Sequence, residues 1–201
     1  MTNLDDLDLL DRWRAGDAQA GQALFRRHFD SLYEFFENKC AAEADELVQS
    51  TFLLCTRARD QFRGDASFRT YLFKIARREL YRVLEVRQRS NARLDFAVSS
   101  IADLVTTPGT RLARDEEHRQ LVIAMQQLPV EAQTVLELHY WQDMGMAELA
   151  EVFEVNEQSI RARLYRARKA LQKQLARLAP VEVLETLDTM DVWVKRFAQP
   201  E

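Results

Sequence analysis

Two stretches of this chain carry side chains suited to a polyanion. Residues 62–89 read FRGDASFRTYLFKIARRELYRVLEVRQR, where arginines and one lysine alternate with aromatic and aliphatic residues. Cations follow a phosphate backbone and rings stack on unpaired bases, each stacked base being worth about 1–3 kcal/mol by side-chain deletion. Phe62, Tyr71 and the Arg and Lys side chains are the candidates for such contact, whereas Phe68, Leu72 and Ile75 recur at helical spacing and belong in a core. The second stretch, EQSIRARLYRARKALQKQL, begins at Glu157, and from Gln158 to Leu178 it contains no acid. Its stripe of Ile160, Leu164, Ala167, Leu171, Leu175 and Leu178 packs inward, which turns Gln158, Ala162, Tyr165, Arg166 and Lys169 outward. A helix fits the major groove, where Arg pairs with guanine and Gln with adenine. Arg161, Arg163 and Arg168 lie at its sides and suit phosphates. The plain alternative is a solvated amphipathic helix in an all-α bundle; the lack of acids weighs against it.

These stretches stand on an acidic background. The formal net charge is −4 and the sequence pI is near 5.5. Asp5, Asp6, Asp8 and Asp11 make one end acidic, and Glu182, Glu185, Asp188 and Asp191 the other. Two basic blocks on an acidic chain suggest two contacts with a polyanion. No nucleotide-cradling Gly-rich loop, nucleophile–base constellation or metal-ligand spacing is present, so no enzyme, cofactor or metal is expected. Cys40 and Cys55 stand far apart and read as reduced core thiols; His28, His118 and His139 are scattered. There is no membrane-length apolar run and no signal-peptide pattern, so no membrane insertion and a cytoplasmic location are expected.

Scarce Gly and Pro favour helices almost throughout. Asp17 is placed to cap a first long helix, and Glu43 to Arg59 forms a second with Leu47, Val48, Thr51, Leu54, Cys55 and Ala58 on its apolar face. Asp45, Glu46, Gln49, Ser50 and Leu53 then project outward. A third helix starts after Gly64, with Asp65 as a plausible cap, and runs to about Arg89. The pattern fades from Ser90 to Arg114, which reads as a linker, although Phe96, Val98, Ile101 and Leu104 suggest that it docks. Beyond it, Pro129 opens a helix, and MAELAEVFEVNEQSIRARLYRARKAL fits a helix-turn-helix. Val183, Leu187, Met190, Val194 and Phe197 align on one face of a final amphipathic segment. The expected architecture is all-α: residues 1–90 and 113–179 as two small helical domains, 91–112 as linker and 180–201 as a C-terminal extension.

Three of these stretches, in this order, resemble bacterial RNA polymerase sigma factors of the extracytoplasmic-function (ECF) type. ADELVQSTF resembles that family's region 2.2, FRGDASFRTYLFKIARREL its regions 2.3 and 2.4, and LPVEAQTVLELHYWQDMGMAELAEVFEVNEQSIRARLYRARKAL its region 4. The resemblance covers roughly residues 8–90 and 113–178 and implies a promoter-specificity subunit. By it, Asp45, Glu46, Gln49, Ser50 and Leu53 would meet the clamp helices of the polymerase β′ subunit. Phe62, Arg63 and the loop Gly64, Asp65, Ala66 and Ser67 would hold a flipped base of the −10 element. Arg69, Tyr71, Lys74, Arg77, Arg78 and Arg82 would line melted or flanking DNA. Gln158, Ser159, Arg161, Ala162, Arg163, Tyr165, Arg166 and Lys169 would serve the −35 element. The second domain would also meet the β flap, and the linker would thread near the RNA exit channel.

The sequence departs from the family at Tyr71, usually Trp; at Arg78, often Asn; at Gln158-Ser159, frequently Gly-Thr; and at Glu154, commonly a turn Gly. These departures bear on −10 base preference and on the angle of the recognition helix. The resemblance further implies control by an anti-sigma factor. The acidic tail offers in-cis control as another route, with completion of the second domain's core as the plain alternative. A stand-alone helix-turn-helix regulator, binding DNA as a dimer, would account for residues 113–178 but not for what precedes them; an adaptor using helical grooves is a further reading.

Overall fold

The computed structural model describes residues 3–62, 64, 66–87, 95–104, 116–177 and 187–198. Ten α-helices carry the fold over these residues: α1 (Asn3–Arg14), α2 (Ala18–Cys40), α3 (Ala44–Ala58), α4 (Phe68–Arg87), α5 (Ile101–Leu104), α6 (Glu116–Gln126), α7 (Val130–Tyr140), α8 (Met146–Phe153), α9 (Glu157–Leu175) and α10 (Leu187–Ala198). Among the described residues the one β-type pairing is an isolated antiparallel bridge between Ser100 and Pro129.

Asp17 caps α2 as expected: its Oδ1 accepts from the Gln19 and Ala20 amides at 3.0 and 3.2 Å. The sequence pattern did not reveal α1. Its Leu10 and Trp13 lie three residues apart and are buried against α2. The two helices are clasped by Asp6, which meets Arg27 at 2.5 Å and the His28 Nε2 at 2.8 Å. Burial alone would raise the Asp6 carboxyl pKa, but His28 and Arg27 outweigh it and hold it below 3.8. Gly21 permits the packing, because a Cβ there would sit 2.7 Å from the Trp13 indole. Helix α4 is opened by Ser67, whose Oγ accepts from the Thr70 amide at 3.0 Å; the expected cap, Asp65, lies outside the described residues. The inward stripe of α4 is Phe68, Leu72, Phe73, Ala76, Leu80 and Leu84.

The connecting segment docks, as its apolar residues suggested. The Phe96 ring stacks on Tyr81 with centroids 4.1 Å apart, and Ile101 is fully buried. The amides of Val130 and Glu131 donate to the Ser99 and Phe96 carbonyls at 2.9 and 3.0 Å, tying this segment to the start of α7. Val98 departs from the expectation and is exposed. At the other end, α10 completes the C-terminal core. Met190, Trp193 and Val194 are buried, Phe197 stacks on His118 at 5.3 Å, and Asp191 pairs with Arg168 at 2.7 Å and with the Tyr140 hydroxyl. The plain reading of the tail therefore holds for its described part. Val183 lies outside it.

The N-terminal helices meet the C-terminal ones along α4 and α8. Beside that contact, Lys39 is 0 % exposed. It pairs with Glu137 of α7, donates to the Phe35 carbonyl at 2.9 Å and lies over the Phe35 ring. Burial holds its ammonium pKa below the ordinary value, although Glu137 pulls the other way.

Two outcomes follow for the N-terminal helices. Gly21→Ala overpacks the α1–α2 contact and is expected to cost about 1–3 kcal/mol in urea unfolding. Asp6 contributes stability as a carboxylate, so its contribution is full above its unfolded value of 3.8 and is lost as pH falls through the lower folded value. The stability difference between wild type and Asp6→Asn, followed by urea unfolding against pH, should narrow as the solution is acidified below that value.

Candidate nucleic-acid interface

Helix α3 presents a short outward face. Asp45, Glu46 and Gln49 are exposed, and Leu53 is 50 % exposed among them. Ser50 departs from the expectation that it faces outward: it is half-buried and donates to Glu79 of α4 at 2.5 Å. Glu79 also receives Arg82 at 2.9 Å. Burial would raise the Glu79 carboxyl pKa, yet Arg82 and Ser50 hold it below 4.5. Arg82 remains largely exposed beyond this bond.

The loop before α4 corrects one expectation. Phe62 is 8 % exposed. Its ring lies 4.7 Å from Tyr71 and 6.5 Å from Phe68, because an aromatic this close to the core gains more from burial than from water. It is therefore not available here as a stacking platform. Gly64 has φ +81, a conformation that favours glycine, and it is exposed; Ala66 and Ser67 are half-buried. Arg63 and Asp65 lie outside the described residues. The anchors of this loop come from an unanticipated helix: Arg14 of α1 donates to the Arg59 and Phe62 carbonyls, and Arg59 lies over the Trp13 ring, 5.2 Å from its centroid. The three-residue spacing of Leu7, Leu10 and Trp13 was the available signal for α1.

Between α3 and α4 lies an open cleft of about 440 Å³. Leu54, Ala58, Ile75 and Tyr71 make it apolar, and Gln61, Lys74, Arg78 and Glu79 supply its polar groups. Leu54 and Ile75 were expected in the core, but both are only half-buried. They are the cleft residues that periodicity misses, since a stripe edge looks the same whether a neighbour covers it or not.

Four cations of α4, Arg69, Lys74, Arg77 and Arg78, face α8. Arg69 lies 3.4 Å from Glu148, Lys74 2.7 Å from Glu151 and 3.7 Å from Glu154, and Arg78 2.5 Å from Glu154. Arg77 is sandwiched between the Tyr81 and Phe153 rings, at 4.7 and 4.8 Å from their centroids. Burial would raise the Glu154 carboxyl pKa, but Arg78, Lys74 and Arg77 hold it below 4.5.

Helices α8 and α9 form the helix-turn-helix. Glu154 makes the turn at φ +58, ψ 43, a left-handed conformation uncommon for a residue with a Cβ. Asn156 caps α9, accepting from the Ser159 amide at 2.8 Å. The inward stripe of α9 is Ile160, Leu164, Ala167, Leu171 and Leu175, as its spacing implied; Leu178 lies outside the described residues. Gln158, Ala162, Arg166 and Lys169 are exposed, and Tyr165 is 56 % exposed. Arg161 is exposed beside Glu157 at 3.0 Å. Two flanking arginines are already engaged, contrary to expectation. Arg163 is half-buried and paired with Glu131, and Arg168 is held by Asp191 and the Tyr140 hydroxyl. Among the described residues no helix is long and apolar enough to cross a membrane.

A family model described as sigma-70 region 2 matches residues 24–90, and one described as sigma-70 region 4 matches residues 118–171. Together they span more than half of the chain. The RNA polymerase sigma-H factor of Pseudomonas aeruginosa is 27 % identical over 194 residues, covering 87 % of this chain and 96 % of the relative. The ECF RNA polymerase sigma-E factor of Escherichia coli K12 is 26 % identical over 182 residues, covering 86 % and 95 %. In fold, the chain resembles CnrH, solved in complex with the cytosolic domain of CnrY, with TM-score 0.66, 23 % identity and coverage of 87 % and 99 %. It also resembles the sigma factor RpoE of Bartonella quintana, solved with the anti-sigma factor NepR, with TM-score 0.57, 20 % identity and coverage of 77 % and 96 %.

The cap on α4 gives a local check of this geometry. Ser67→Ala is expected to cost about 1 kcal/mol in urea unfolding and to raise amide hydrogen exchange in the first turn of α4.

Proposed function

Because this chain belongs to the sigma-70 family of bacterial RNA polymerase sigma factors, as an ECF-type member, we propose how its surfaces divide the work of promoter recognition. As a sigma factor it binds core RNA polymerase, confers recognition of the −35 and −10 promoter elements and assists promoter melting. The α3 face of Asp45, Glu46, Gln49 and Leu53 meets the β′ clamp helices. An exposed leucine ringed by polar side chains offers a partner apolar area to bury inside a polar rim. Residues 24–90 match region 2, so a stand-alone dimeric regulator is not favoured.

The cleft between α3 and α4 receives an unstacked nucleotide of the −10 element. Its apolar wall of Leu54, Ile75 and Tyr71 takes the base, while Lys74 and Arg78 on its polar side take the phosphate. Duplex DNA cannot offer a base to such a cleft, so occupancy favours the melted strand. With Phe62 buried, Tyr71 is the aromatic contact. Arg69, Arg77 and Arg82 extend the cationic track. Gly64, Ala66 and Ser67 shape its entrance, beside Arg63 and Asp65.

The exposed face of α9 enters the −35 major groove, with Gln158, Ala162, Tyr165, Arg166 and Lys169 toward base edges and Ser159 and Arg161 toward phosphates. This face carries the reading: it is basic, uncovered and backed by a sealed apolar stripe. The β flap is a further contact of the C-terminal half, and residues 95–104 lie toward the RNA exit channel. The protein acts in the cytoplasm, without cofactor or metal. An anti-sigma factor is its expected inhibitor, because the RpoE structure of similar fold was solved with such a partner. Control in cis by residues 187–198 is not supported, since α10 packs into the core and leaves the α9 reading face open.

Reconstitution with core polymerase on genomic fragments should yield run-off transcripts that are absent without this chain. Leu53→Asp should abolish co-purification with core polymerase. Arg166→Ala should weaken −35 binding by about 1–3 kcal/mol, measured on holoenzyme by competition, and relax sequence preference at one position. No transcripts and no polymerase association would refute the assignment.

A further inference from the structure

We propose that α10, which lies beyond the residues matched by the sigma-70 region 4 family model, widens the −35 contact: Lys195 takes a phosphate of the duplex beside the groove that α9 enters. This rests on the assignment of α9 to the −35 element. A recognition helix in the major groove is flanked by two phosphate strands, so the cations along its sides decide how firmly it is held.

One side of α9 carries Arg161, Tyr165 and Arg168 in a row, at four- and three-residue spacing. Arg161 and Tyr165 are exposed. Arg168 is drawn out of the row by α10: its guanidinium lies 2.7 Å from the Asp191 carboxylate and donates to the Tyr140 hydroxyl at 3.0 Å. Helix α10 thus removes one cation from this flank. It also supplies another. Lys195 stands four residues after Asp191, on the same side of α10, and it is exposed.

His139, near the end of α7, marks where that charge falls. Burial holds its ring pKa below 6.5, and the Met144 carbonyl pulls the other way. The charges of Arg168 and Lys195 deepen the depression, while Asp191 opposes it. Lys195, Arg168 and Asp191 therefore gather around one imidazole, which lies 5.0 Å from the Tyr140 ring. The cationic row of α9 is continued by a lysine from a different helix.

The position of Lys195 is fixed by packing. Met190, Trp193 and Val194 are buried, and the Trp193 indole donates to Glu117 of α6 at 3.3 Å. The stem of Lys195 is anchored to a seated helix, while its ammonium stays in water as a mobile point charge suited to a phosphate. A cation in the last turn of α10 also favours that helix's own dipole. That effect alone would show in stability and not in DNA binding.

The test uses holoenzyme reconstituted from core polymerase and the full chain, with a labelled duplex promoter fragment carrying the −35 element. Affinity is measured by competition across a salt series. Lys195→Gln should make the slope of log affinity against log salt shallower by about 0.9, the share of one phosphate contact. It should weaken binding alike on every −35 sequence. Lys195→Arg should keep the wild-type slope. Arg26→Gln, which removes an exposed cation of α2, should leave the slope unchanged. Circular-dichroism melting confirms that each variant is folded. An unchanged slope for Lys195→Gln, with or without a lower melting temperature, overturns the proposal, as does an equal change for Arg26→Gln or a loss confined to one −35 position. Arg166→Ala is measured in the same series. If it alters binding and Lys195→Gln does not, the α10 contact falls alone; if neither alters binding, the −35 assignment of α9 falls with it.

Discussion

The constraint on which this structure depends is that one helix, α4, must be sealed on one side and charged on the other. Its stripe of Phe68, Leu72, Phe73, Ala76, Leu80 and Leu84 is buried. Its flank carries Arg69, Lys74, Arg77, Arg78 and Arg82. The stripe cannot release its grip without unfolding the N-terminal bundle, since each large apolar side chain there contributes on the order of 2–5 kcal/mol. The flank can release whatever it holds, because exposed ion pairs contribute about 0–1 kcal/mol each. That asymmetry lets the helix keep its position while its charges change partners.

The same asymmetry runs through the contact between the halves. That contact includes a buried charge pair, Lys39 with Glu137, set beside the Phe35 ring. A buried ion pair returns little net stability after desolvation, and both groups would regain water if the halves parted. The Arg77 guanidinium between Tyr81 and Phe153 is likewise a contact that water can replace. Each half also buries large apolar side chains, Leu24, Leu32, Phe36 and Leu47 on one side and Leu136, Leu149, Ile160 and Leu171 on the other. The readily exchangeable contacts are the partly exposed ion pairs along the α4–α8 seam, and that arrangement leaves the apolar packing in place. It also suits an acidic protein with two basic surfaces, because binding to arbitrary DNA is mostly phosphate electrostatics.

Much of this was legible in the sequence where the signal was local. The α9 stripe, the Asp17 cap, the docking of Phe96 and Ile101 and the order of the three motifs follow from spacing and side-chain type alone. What was not legible depends on partners distant in the chain. Nothing near Arg163 or Arg168 announces that Glu131 and Asp191 will claim them. Nothing near Ser50 points to Glu79. Phe62 looked exposed because it sits among polar residues, yet Tyr71 and Phe68 fold over it while Arg14, from an unanticipated helix, holds its carbonyl. Leu54 and Ile75 were assigned to the core by period, yet both are half-buried and line the cleft between α3 and α4. Residue type sets what a side chain is able to do, whereas its availability is set by the fold.

The central claim is that α4 and α9 engage the −10 and −35 elements of one promoter together when the protein joins polymerase. The most direct measurement is a pulsed electron resonance distance between spin labels at two exposed sites, Val86 on α4 and Lys173 on α9, with the native cysteines buried and unlabelled. The account predicts one short, narrow distance distribution in the free protein and a shift to longer distances in the promoter-bound holoenzyme. The same short distribution in both states would contradict it.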